Sequence, residues 1–141
     1  MSTELNKATA KRFFEDIWNK GNLALLDELA LPNMVVHGVP PELPPSLEGL
    51  RQFIKMYRTA FPDLQFTLGD LIAEGDKVAV RWTVTGTHTG KLLNFPVLGK
   101  KGTVTGITVT RYDEKGKIAE NWFEFDQLTM LQQIGVIPVP A

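Results

Sequence analysis

Asp126 is the first residue whose type and position suggest chemistry. It closes the stretch Lys117-Ile-Ala-Glu-Asn-Trp-Phe-Glu-Phe-Asp126. Ile118, Glu120, Trp122, Glu124 and Asp126 alternate with Ala119, Asn121, Phe123 and Phe125, the two-residue period of a strand. Both faces carry aromatic residues, so a carboxylate at the end has two readings. In an enclosed apolar pocket it would be a general acid/base, with its pKa raised from about 3.9 by desolvation. Such a base is worth roughly 10²–10⁴ in rate. At the start of the next apolar segment, Gln127-Leu-Thr-Met-Leu-Gln-Gln-Ile-Gly135, it would instead cap a helix, and free backbone N–H groups would lower that pKa.

The other candidates are few. His37 and His88 are the only histidines. His37 precedes a Pro-rich loop and could donate to a substrate or exchange a proton with Asp126; the alternative is a solvent-facing loop residue. His88 lies in the turn Gly86-Thr-His-Thr-Gly90, where it either touches a ligand or holds the turn. Arg81 and Arg111 sit among apolar strand residues. Each would either face an oxyanion or pair across strands with Glu120 or Glu124. Trp82 and Trp122 are pocket wall or core, and Tyr57 and Phe14 lie on apolar helix stripes that could line a pocket. Two histidines without ligand spacing make no metal motif, and neither a phosphate loop nor a nucleophile elbow is present.

The elements that must position these residues follow from periodicity. Ala10, Phe13, Phe14, Ile17 and Trp18 recur at helical spacing, predicting an amphipathic helix from about Glu4 to Lys20 that stops at Gly21. Asn22 is placed to cap a short second helix with Leu23, Leu26 and Leu29. Met34 to Gly38 reads as a short strand or extended piece, and Val39 to Pro45 is too Pro-rich for a regular element. Ser46 caps a third helix with Leu50, Phe53, Ile54, Tyr57 and Phe61 on its apolar side. Leu64 to Ala73, Val78 to His88, Thr103 to Tyr112 and the Asp126 stretch predict four strands, joined by Glu74-Gly-Asp76, a longer connection from Gly90 to Gly102, and Asp113-Glu-Lys-Gly116. Leu92 to Leu98 is apolar for a connection: a lid, a dimer contact, or packing on the sheet edge. Helices followed by antiparallel hairpins give an α+β class, with three helices over one face of a curved sheet and a pocket between.

Composition narrows the class. The 141 residues predict a single domain with a core of its own. A net charge of −1 without a basic stripe argues against nucleic acid. The absence of cysteine removes disulfides, thiol nucleophiles and thiolate metal sites. The first residues lack the apolar core of a signal peptide, and no apolar run reaches the ~20 residues of a membrane span, so the expectation is a cytoplasmic protein with no membrane partner.

Several stretches in order carry a family likeness: Phe14-Glu-Asp-Ile-Trp-Asn-Lys-Gly-Asn22, Ala60-Phe-Pro-Asp63, Ala73-Glu-Gly-Asp-Lys-Val78, Gly86-Thr-His-Thr-Gly90, Gly116-Lys-Ile-Ala-Glu-Asn-Trp122, Asp126 and Leu131-Gln-Gln-Ile-Gly135. Through them the chain resembles the SnoaL-like polyketide cyclase (ester cyclase) branch of the NTF2-like cone fold. The resemblance implies a homodimeric enzyme without cofactor that closes a ring by intramolecular aldol condensation of a polyketide ester. It also implies that the aspartate matching Asp126 is the general acid/base. Cyclising relatives carry a histidine on the neighbouring strand, where Gly106 to Arg111 has threonines, and Asn121 stands where relatives often have histidine. A pocket protein that binds an apolar molecule without turnover, or a hydrolase, isomerase or dehydratase on the same fold, is the alternative.

Overall fold

The computed structural model describes residues 2–139. Helix α1 (Thr3–Arg12) begins at Ser2, whose side chain accepts from the Leu5 N–H. It runs directly into a π-helical segment, Phe13–Asn19. The wider turn brings Phe13, Phe14, Ile17 and Trp18 all inside. The segment's open carbonyls are closed by Arg58, whose guanidinium donates to the Trp18 and Asn19 carbonyls at 2.5 and 3.1 Å. The Asn19 side chain accepts from the Phe66 N–H at 2.7 Å and donates to its carbonyl at 3.1 Å, clamping the segment to the sheet.

Gly21 takes φ +74 and turns the chain into α2 (Leu25–Leu29). The cap expected from Asn22 is not made by its side chain: the cap position of α2 is Ala24, two residues later, and only the Asn22 backbone carbonyl accepts, from Leu25. Strand β1 (Ala30–His37) is longer than the piece expected at Met34 to Gly38 and includes Pro32. Its place at the sheet edge tolerates the missing donor. Helix α3 (Leu47–Ala60) is capped by Ser46 and buries Leu50, Phe53 and Ile54. Burying each such side chain is worth roughly 1.5–3 kcal/mol.

The strands β2 (Gln65–Glu74), β3 (Lys77–Thr87), β4 (Lys101–Tyr112) and β5 (Ile118–Phe125) complete a five-stranded sheet in the order β1-β5-β4-β3-β2. All neighbours are antiparallel except β1, which pairs parallel to β5. A fifth, parallel strand at the edge corrects the four-stranded reading. Helix α4 (Gln127–Gln133) follows β5 and packs on β4. The result is an NTF2-like α+β cone whose sheet curls around a core without closing.

Register assigns the faces. Val78, Val80, Trp82 and Val84 of β3 oppose Thr110, Thr108, Gly106 and Val104 of β4, and these oppose Asn121, Phe123 and Phe125 of β5. This is the inner face, covered by helices. Arg81, Thr83, Ile107, Arg111, Glu120, Trp122 and Glu124 take the outer face. An irregularity between Arg111 and Tyr112 turns Ile118 inward, where it is 1% exposed, so it does not share a face with Glu120 as strict alternation predicts.

Gly106 sits under the Trp82 indole. A Cβ there would lie 2.3 Å from a Trp82 ring carbon and 2.7 Å from the Glu124 carbonyl oxygen. Backbone cannot yield as a side chain can, so the Gly106→Ala variant should lose about 1–3 kcal/mol of stability in urea unfolding. A variant as stable as the wild type would show that the indole is not seated on this glycine.

Candidate functional site

The inner face and the helices enclose one aromatic chamber. α3 supplies Phe53 and Tyr57, the π-helical segment supplies Phe14 and Trp18, and the strands supply Trp82 and Phe123. The rings touch: Trp18 and Phe66 have centroids 4.9 Å apart, Phe53 and Tyr57 4.9 Å, Phe66 and Trp82 4.9 Å, Phe53 and Phe123 5.1 Å. Free space amounts to about 80 Å³. A cavity of about 150 Å³ is what holds benzene, so a ring-shaped ligand must part these aromatic walls to enter.

The chamber's polar groups are neutral. Trp82 Nε1 donates to Thr108 Oγ1 at 2.9 Å, both side chains buried. Asn121 is 1% exposed, and its Oδ1 has no hydrogen-bond partner. Burial pushes the Tyr57 hydroxyl up to about 12, and the Gln127 side chain only partly offsets this. Among the described residues no carboxylate, histidine, lysine or arginine lines the space. Its charge is therefore constant between about pH 5 and about pH 9.

Asp126 lies elsewhere. It is exposed at the N-cap of α4, where Thr129 donates its backbone N–H at 3.1 Å and its hydroxyl at 2.6 Å. The Thr129 hydroxyl first, then its N–H, hold the carboxyl below the usual carboxylate range. The expectation of a raised pKa in a dry pocket is thereby corrected, since the donors of the helix end stabilise the charged form. Asp126 borders an open outer cleft of about 460 Å³ together with Arg81 and Glu124.

His37 is also outside. Its ring stacks on Trp122 at 5.2 Å and shares a hydrogen bond of 2.7 Å with Glu120. The His37 bond first, with Arg111 adding, holds the Glu120 carboxyl below its ordinary value. His37 is level with Trp122 in the sheet, so four residues, about 13 Å, separate it from Asp126 along β5. No direct proton exchange spans that distance, which corrects that expectation.

Trp122 and Arg81, expected to touch substrate, also lie on the outer face. Arg81 pairs with Asp70 at 3.0 Å and not with Glu120 or Glu124. His88 is fully buried against Phe61 at 5.3 Å, behind the chamber wall, and neither ring nitrogen has a partner. Its backbone bonds Lys100 and Gly99, in keeping with the turn-holding reading. Phe14, Tyr57 and Trp82 do line the chamber.

Asn121, Thr108, Phe123 and Phe125 are the chamber residues that the sequence reading passed over as site groups. For three of them the signal was available: Asn121, Phe123 and Phe125 share the carboxylate-free face of the β5 stretch, whereas Thr108 on β4 carried no such mark. Of the apolar connection, only Leu92 is buried; Leu93, Val97 and Leu98 are exposed. Among the described residues no cluster of three or more potential ligands could hold a metal, and no helix is long and apolar enough to cross a membrane.

Comparison with known proteins now adds to this geometry. The profile of the SnoaL-like polyketide cyclase family matches residues 8–134. The chain belongs to that family. IdmH of Streptomyces antibioticus, provisionally described as a polyketide cyclase, is 32% identical with a TM-score of 0.79, over 93% of this chain and 99% of its own. A provisional polyketide cyclase of Bacillus cereus is 30% identical with a TM-score of 0.83, over 97% and 87%. AclR of Streptomyces galilaeus, provisionally a hydroxylase, is 26% identical with a TM-score of 0.86, over 99% and 87%. No curated protein matches the chain.

The cap has a pH signature. A depressed folded pKa gives stability that is full above the unfolded value and is lost as pH falls through the folded one. Asparagine also caps, without the charge. The wild type should therefore melt above Asp126→Asn at neutral pH, with the gap closing as pH drops below the ordinary 3.8. A gap that persists or widens in acid would contradict the capping assignment.

Proposed function

We propose that this family member is an enzyme working without a cofactor. It would fold a neutral, largely apolar polyketide-type carbonyl compound inside the chamber and close a ring in it by intramolecular aldol reaction. The observation that carries the proposal is the chamber: aromatic, between the sheet and the helices, and with neutral hydrogen-bonding groups at Tyr57, Thr108 and Asn121. The family membership supports the reaction class.

In an aldol closure from the enol form, the enol carbon's π pair forms the new carbon–carbon bond, and the enol O–H proton ends on the attacked carbonyl oxygen, so no ionised protein group is needed. The product is an isomer. Holding both ends of the chain in one chamber replaces a rare encounter with a fixed approach. The Tyr57 hydroxyl, kept protonated by burial, is a neutral donor for the oxygen on which negative charge develops. Asp126 has a structural part in this scheme.

Incubation with a linear aromatic polyketide ester, followed by chromatography and mass spectrometry, tests the proposal. The wild type should give a product of unchanged mass and new retention time. Tyr57→Phe should slow it by roughly 10²-fold, the usual effect of one such donor. Asp126→Asn should stay within a few-fold. Loss of turnover in Asp126→Asn with binding intact would return the proton chemistry to that carboxylate. A second reading, binding without turnover, is favoured by the lack of an ionised group in the chamber; it predicts retention of the ester and no isomer. A mass gain of one oxygen atom would point instead to the hydroxylation that the AclR likeness suggests.

A further inference from the structure

The deep wall of the chamber holds two buried polar side chains whose hydrogen-bonding capacities differ. Thr108 is 3% exposed and its Oγ1 already accepts from Trp82 Nε1. Its hydroxyl still has its own proton to donate, and one lone pair besides. Asn121 is 1% exposed and its Oδ1 accepts from nothing. Opposite Asn121 stands Thr110, and opposite Thr108 stands Phe123, which makes Asn121 and Thr108 diagonal neighbours on the inner face. Such neighbours lie about 7–8 Å apart along the backbone, within reach of one small molecule.

From this pair we infer that the chamber reads the hydrogen-bond polarity of its ligand, with Asn121 Oδ1 accepting from a ligand hydroxyl and Thr108 donating to a ligand carbonyl. The ligand class is a neutral, flat, mostly apolar compound with a hydroxyl (enol or phenol) and a keto oxygen on one edge. This rests on the chamber being the substrate site, as proposed above, and adds which oxygen goes where.

A buried carbonyl without a donor weakens the folded state, and an apolar group of the same shape in its place does not. Of the described buried side chains without a partner, Asn6, His88, Tyr112 and Asn121, only Asn121 lines the chamber, where a ligand could supply the missing donor. An amide suits the task because it stays neutral throughout the physiological range, while a carboxylate or imidazole would titrate with its surroundings.

Asn121→Leu tests the inference with 2-naphthol and 2-methylnaphthalene, which share a shape and differ by hydroxyl against methyl. Binding is read from quenching of tryptophan fluorescence, since Trp18 and Trp82 line the chamber. The ratio of the two dissociation constants in the wild type should shift against the hydroxyl compound by about tenfold in Asn121→Leu. The variant should also melt no lower than the wild type. An unchanged ratio, or a clearly lower melting temperature, would overturn the inference and make Asn121 a structural residue. Binding of neither probe to the wild type would overturn both this inference and the proposed function. Binding of both with an unchanged ratio would remove this inference alone. Failure of Asn121→Leu to fold would count against the inference in the same way as a lower melting temperature.

Discussion

A charge buried without a partner is too costly for a folded chain to carry, and that constraint shapes this cone. The two-residue period of the strands divides each one into an inner and an outer face. On β5 it sends Asn121, Phe123 and Phe125 into the chamber and Glu120, Trp122 and Glu124 outward. Outward, charge is paired or exposed: Glu120 bonds His37 and Arg111, Arg81 bonds Asp70, and Glu124 faces solvent. The inner face is left with aromatic rings and neutral polar groups. The chamber's chemistry is consequently that of shape and hydrogen bonding.

Local devices keep that chamber in place. The π-helical segment turns a stripe of aromatics fully inward, and Asn19 and Arg58 fix its end against β2 and α3. Gly106 gives Trp82 room to lie across β4, and the indole N–H then settles how Thr108 can bond. Asp63 accepts from the Thr87 N–H at 2.7 Å and its hydroxyl at 2.8 Å, which ties the loop after α3 to the end of β3 and sets Phe61 in the wall. These bonds hold its carboxyl below the usual range. Each device links a residue near the chamber to a neighbouring element by a directional contact.

Much of the fold was legible because its signals are local. Ser46 before an apolar helix stripe, Gly21 after one, and Glu74-Gly-Asp76 between strands each act over a few residues, and all appear where expected. The parallel pairing of β1 was not legible, because it depends on a partner far along the chain and Pro32 argues against a strand. The π-helical turn leaves no mark in an amphipathic pattern. The site was harder. Chemically conspicuous residues such as Asp126, His37 and Trp122 drew attention, yet alternation placed them on the outer face or at its end. Asn121 shares the carboxylate-free face of β5 with two aromatics and stands where relatives often have histidine, but its burial to 1% exposure comes from the helices packed over that face, which a local pattern does not display.

The account stands on the chamber between Phe53 and Phe123 being the place where a ligand goes. A crystal soaked with 6-bromo-2-naphthol answers that most directly, through the anomalous signal of bromine. The account predicts a peak inside the aromatic chamber, with the naphthol oxygen within hydrogen-bonding distance of Asn121. A peak only in the outer cleft beside Arg81 and Asp126, with the chamber unchanged, would contradict it.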